Sequence, residues 1–130
     1  MNTLNNPLNI QHQLKNIPVH DASFKSINYN YEDKTIEIVL DNHYENKIIY
    51  YLFKGIKVFL SSAFEPWGDN AMEINAFVFL KEAEVLKPLI ENIDTSNLLH
   101  FEFEMFTGNQ IHILCEDAYY SVYNIEPEVS

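Results

Sequence analysis

Along residues 98–116 the chain alternates apolar and polar side chains on either side of a Thr-Gly-Asn turn. Phe101, Phe103 and Met105 alternate with His100, Glu102, Glu104 and Phe106, and beyond the turn Ile111, Ile113 and Cys115 alternate with Gln110, His112, Leu114 and Glu116. A period of two is what a strand with one buried face requires, so the stretch predicts a β-hairpin. Both apolar rows share a face only if paired positions sum to an even number. That condition predicts a three-residue loop, residues 107–109 or 108–110. With Phe106 opposite Gln110, Glu104 faces His112, and the polar row collects His100, Glu102, Glu104, His112 and Glu116.

The same reading extends along the chain. Ile27, Tyr29 and Tyr31 alternate with Ser26, Asn28 and Asn30, and after Glu32-Asp33-Lys34 the pattern resumes at Ile36, Ile38 and Leu40, a second hairpin. Phe24 is out of phase with Ile27, which predicts a bulge or a strand that begins after it. Residues 47–60 are apolar on both faces and predict one central strand covered on both sides, with Gly55 marking a bulge or a close backbone approach. Strands are also expected at 72–80 and 119–124. The period changes at Val85, Leu86, Leu89, Ile90 and Ile93, which predicts a short helix from about Lys87 with Pro88 in its first turn. Asn6-Pro7 ahead of Leu8, Ile10, Leu14 and Ile17 predicts another, capped by the asparagine.

The expected fold is therefore mainly β, a β-rich α+β domain. It is an antiparallel sheet, sandwich or partly open barrel of about seven to eight strands with one or two short helices. Residues 1–130 read as a single domain, with 1–17 an N-terminal segment and 125–130 a flexible acidic tail.

Composition narrows the function classes. The single cysteine, Cys115, can form neither an internal disulfide nor a multi-cysteine zinc site. The N-terminus lacks a basic and then apolar leader and no apolar run is long enough to span a bilayer, so a cytoplasmic protein without membrane contact is expected. The three glycines are isolated, so no dinucleotide or phosphate-binding loop is present. The net charge of −11 is uneven: residues 1–57 hold six Lys and six acidic groups, residues 58–130 two Lys and thirteen acidic groups. Such a surface repels phosphate backbones, excluding nucleic acid as the expected partner and favouring a basic protein.

Three places could carry chemistry. The polar row of the late hairpin sets two imidazoles beside carboxylates, a composition suited to zinc binding or proton transfer, although a solvated strand face has the same composition. His20-Asp21 could orient a general base, against the plainer reading of a turn in which Asp21 accepts a backbone hydrogen bond. Trp67, with Asp69 nearby in the loop 61–71, is either an exposed anchor for a partner or a plug at the end of the sheets.

His20-Asp21-Ala22 before the first strand, Pro66-Trp67-Gly68 at mid-chain and the Thr107-Gly108-Asn109 turn together resemble small bacterial domains of the YxiG-like kind. The resemblance spans about residues 18–116 on motifs of two or three residues. It implies a β-rich single domain without established catalytic residues, found in some cases in settings like those of immunity proteins, which neutralise a toxin by binding it.

The expectation that follows is a non-enzymatic, immunity-like binding protein, monomeric or homodimeric, that needs neither cofactor nor metal and meets a basic partner through an acidic face. Its expected contact residues are Trp67, Asp69, His100, Glu102, Glu104, His112 and Glu116. The alternatives are a metal-assisted or acid/base enzyme using His100, Glu102, Glu104 and His112, and a structural or self-associating module.

Overall fold

The structure is a computed structural model that describes residues 1–62, 73–80 and 84–125. In chain order the elements are β1 (Asn2–Thr3), α1 (Ile10–Lys15), β2 (Ser23–Asn30), β3 (Thr35–Asn42), β4 (Lys47–Lys54), β5 (Val58–Ser61) and β6 (Ile74–Leu80). A 3₁₀ helix (Glu84–Leu89), β7 (Leu99–Met105), β8 (Gln110–Cys115) and β9 (Asp117–Asn124) complete the chain. Strand accounts for 52% of the described residues, and the two helices among them are short. The strands form two antiparallel sheets, β1-β9-β4-β3-β2 and β5-β8-β7-β6, which do not close into a barrel. This is the expected β-rich class, in its sandwich form.

The core lies between the sheets. Ile36, Ile38 and Leu40 of β3 and Ile49, Tyr51 and Phe53 of β4 meet Phe77 of β6, Phe101 and Phe103 of β7, and Ile111, Ile113 and Cys115 of β8. Phe77 and Phe103 stack at 3.9 Å with their planes 4° apart, and Tyr51 meets Phe77 edge-on at 4.9 Å. Such aromatic pairs add to the burial of area that drives the sheets together. Leu4, Ile10, Leu14, Ile17 and Val19 from the N-terminal segment belong to the same cluster. Asn6 Oδ1 accepts the Leu8 N–H as expected of a cap, but the α-helix proper begins only at Ile10.

Residues 47–60 depart from expectation. They form two strands in different sheets, not one central strand. Lys54 pairs with Asp117 in the first sheet and Val58 with Leu114 in the second, so three residues, Gly55 to Lys57, oppose two, Cys115 and Glu116. The Glu116 N–H donates to the carbonyls of both Lys54 (3.1 Å) and Gly55 (3.2 Å), the arrangement of a bulge, and Gly55 takes the φ of +64° that favours glycine. Both members of the ribbon thus turn the corner together and pass from one sheet to the other. β4 is central in its sheet, but Ile48, Tyr50 and Leu52 on its outer face are half-buried, not covered by a second layer.

At the opposite edge Ser23 bridges to Glu73, the Ile74 N–H donates to the Ala22 carbonyl and the Asp21 N–H to that of Ile74. The bulge expected beside Phe24 is present: the register shifts between Phe24 and Ser26, which returns Phe24 and Ile27 to the core side together. The late hairpin also holds, with its loop one residue earlier than expected. Phe103 pairs with Ile111 and Glu104 with Gln110, the Met105 N–H donates to the Asn109 carbonyl, and Gly108 carries a φ of +86°. The loop is Phe106, Thr107 and Gly108, because the left-handed position must fall on the glycine at its end. The even sum, and with it the shared apolar face, is preserved.

Candidate functional site

The register sets the outer face of the second sheet in rows. Leu80, His100, Leu114 and Val58 lie side by side across β6, β7, β8 and β5, and Val78, Glu102, His112 and Leu60 form the next row. The one-residue correction matters here: His112 faces Glu102, not Glu104, and Glu104 faces Gln110.

The row is not a solvated face. His100 is 2% exposed and His112 3%. Residues 84–98 lie over the sheet as a strap, and Leu86 and Ile90 pack with Leu114, Val58 and Leu98 in a second small core. The helical pattern expected there exists only in part. It is a 3₁₀ helix that starts at Glu84, three residues early, and holds Pro88 near its end. Leu86 and Ile90 are buried while Val85, Leu89 and Ile93 are exposed, because a short, tight 3₁₀ helix presents a narrower face than an α-helix would.

In the row beside this small core the imidazoles bond to each other. His100 Nε2 lies 3.0 Å from His112 Nδ1, and His112 Nε2 lies 3.1 Å from Gln110 Oε1 and 3.8 Å from Glu102 Oε1. Both neighbours of His112 Nε2 are acceptors, so the proton of the neutral ring sits on that nitrogen. Nδ1 is then an acceptor, and His100 must donate from Nε2. The order is a directed chain, His100 to His112 to Gln110, with Glu102 at its side. Burial pulls the His112 pKa below the ordinary imidazole value, and the Glu102 carboxylate partly opposes that pull.

His100 also lines a cavity of about 1060 Å³. Its walls are the N-terminal segment at Leu8 and Gln11, the end of β6 at Phe79, and the strap at Ile90, Glu91 and Ile93. Leu98 and Leu114 join His100 on the sheet side. Gln11 donates its side-chain amide to the Phe79 carbonyl and so occupies the β6 edge beside the cavity.

The other expected residues lie apart. Glu116 sits at the bulge and pairs with Lys57 at 3.2 Å. Glu104 is half-buried beside Gln110, away from the imidazole pair. His20 Nδ1 and Asp21 Oδ2 are 3.3 Å apart, both substantially exposed, and the His20 ring meets Phe106 edge-on at 5.5 Å. Trp67 and Asp69 fall outside the described residues. Cys115 lies on the core side, and burial, then Asp117 and Glu116, push its thiol far above the ordinary range. Among the described residues no group of three His, Cys, Asp or Glu is placed to hold a metal ion. No helix among them is long and apolar enough to cross a membrane.

Gln110 and the cavity wall escaped the sequence reading. Gln110 belonged to the alternation, but only the register brings it to His112. The chain matches no family model, no curated protein and no solved structure.

Proposed function

We propose that the protein is a non-enzymatic binding protein that meets a basic protein partner with the side formed by the strap and the outer face of the second sheet. One observation carries this reading: Glu84, Glu91, Asp94, Glu102 and Glu104 lie on the strap and on β7, against a single cation there, Lys87. Lys87 is itself engaged by Glu84 at 2.7 Å. An acidic side of this kind accelerates encounter with a basic partner and rejects acidic ones, while apolar contacts supply most of the affinity. The proposed setting is cytoplasmic, and the resemblance to YxiG-like, immunity-like domains supports a role in neutralising a partner by binding it.

The chemistry of the histidine pair favours this over acid/base catalysis. Both ring nitrogens of His112 are occupied by His100 and Gln110, so its protons serve the protein's own bonds. The test is affinity capture from the native host, followed by titration of the purified captured protein. The partner is expected to be basic, and its association rate should fall about tenfold or more from low to about 500 mM salt. The double charge reversal Glu91→Lys with Asp94→Lys should slow it further. An acidic partner, or an association rate indifferent to salt and to the reversal, overturns the reading.

A further inference from the structure

The cavity beside His100 has features the charge reading does not use. Its wall is mixed, with Phe79, Ile90, Leu98 and Leu114 forming an apolar stretch beside His100. At its mouth Leu8 is 97% exposed and Ile93 37%. Single exposed apolar residues need no explanation, but here they border a concave volume at the upper end of ordinary ligand sites. The mouth is acidic: Glu84 is paired with Lys87, and Glu91 has no cationic partner among the described residues.

We infer that this cavity is the anchor point for a polypeptide segment in which apolar side chains are flanked by Lys or Arg, supplied by the partner. The inference rests on the reading above and gives it a site. Charge complementarity selects the occupant. A segment of this composition buries its apolar side chains on Leu8, Ile93 and the half-buried Leu98 and sets a cation against Glu91. An anionic amphiphile would meet Glu91, with the one lining cation, Lys87, already engaged by Glu84. A second copy of this chain would bring two acidic straps face to face. Recognition is carried by side chains, not by strand addition, because Gln11 already occupies the Phe79 carbonyl at the neighbouring sheet edge.

The experiment uses the whole chain, ¹⁵N-labelled, and three acetylated and amidated peptides: Lys-Lys-Leu-Phe-Leu-Lys-Lys, its Glu-for-Lys counterpart, and Lys-Lys-Ser-Gly-Ser-Lys-Lys. The first should bind and shift the amide resonances of Leu98, His100 and Leu114, and the other two should bind at least about tenfold more weakly. Leu8→Asp and Ile93→Asp replace exposed side chains, so the fold is retained, as unchanged circular dichroism would verify. Each should weaken the first peptide about tenfold, and Glu91→Lys about threefold. The site is overturned if the cationic apolar peptide fails to bind, shifts only resonances elsewhere, or binds the Asp variants unchanged. Equal binding of the Glu-containing peptide overturns the assignment of a cationic segment. If the protein captured from the host binds Leu8→Asp and Ile93→Asp as tightly as the native chain, the anchor fails while the basic-partner reading stands. If the captured partner is acidic, that reading fails as well.

Discussion

His100 and His112 share a hydrogen bond of 3.0 Å between Nε2 and Nδ1, and each is no more than 3% exposed. The bond has a direction, because Gln110 and Glu102 hold the His112 proton on the far nitrogen. A proton added to His112 makes both its nitrogens donors. His100 would then have to move its own proton to Nδ1 to accept.

Stability should therefore depend on pH in a definite sense. The folded His112 has a pKa below the ordinary imidazole value, with burial as the main cause. In the unfolded chain the ring titrates near the ordinary value of about 6.5. Below that pH the unfolded chain takes up a proton that the folded chain resists, so stability is full above it and falls as pH drops through it. The slope reaches at most about 1.4 kcal/mol per pH unit from this group. Urea unfolding from about pH 7.5 to about pH 5.5 should show the loss, and His112→Gln should show less of it. Identical pH dependence in the two proteins would remove His112 as the cause.

Cys115 should be inert in the folded protein. The thiolate is the reactive form, and burial with the neighbouring Asp117 and Glu116 carboxylates disfavours it. An aromatic disulfide reagent should react at a rate that tracks unfolding, negligible in buffer and fast in denaturant. Immediate stoichiometric reaction in buffer would place the thiol within reach of solvent.

Much of this was legible in the chain, for reasons that differ by element. The apolar face of the late hairpin follows from parity, and any three-residue loop with an even sum gives the same core. Placement of that loop does not follow from parity, so the partner of His112 was misassigned to Glu104 while the core was not. Phe24 betrayed its bulge by phase. The sheet switch at Gly55 could not be read, since an apolar run looks the same whether it crosses a covered strand or bends between two sheets. Burial of the histidine pair was hidden for a related reason. The period of residues 84–98 marks an apolar face, and only the tertiary structure sets Leu86 and Ile90 of that face on Leu114, beside His100.

The corner at Gly55 should be intolerant of a side chain. Its φ is +64°, and a Cβ there would stand 2.7 to 2.8 Å from Cδ, Cβ and Cγ of Glu116. Gly55→Ala should cost about 2 kcal/mol, of which about 1 is the left-handed backbone and the rest displacement of Glu116. Glu116→Gly removes all three contacts, so the two substitutions together should cost less than the sum of each alone. Strict additivity in urea unfolding would mean that Glu116 already swings aside.

Tyr51 should be improved by losing its hydroxyl. The ring is fully buried, edge-on to Phe77 at 4.9 Å and to Phe103 at 5.9 Å, and the oxygen has no hydrogen-bond partner among the described residues. Burial also raises its pKa well above the ordinary tyrosine value, with Tyr120 adding to the effect, so the phenol stays neutral wherever the protein is folded. An unpaired buried hydroxyl is a cost the phenyl ring avoids at the same shape, and Tyr51→Phe should gain about 1 kcal/mol. The gain would appear as a higher denaturant midpoint with an unchanged slope. A loss of about 1 kcal/mol instead would show that the hydroxyl is satisfied, as by an ordered water in the core, and the aromatic cluster would then have a polar centre.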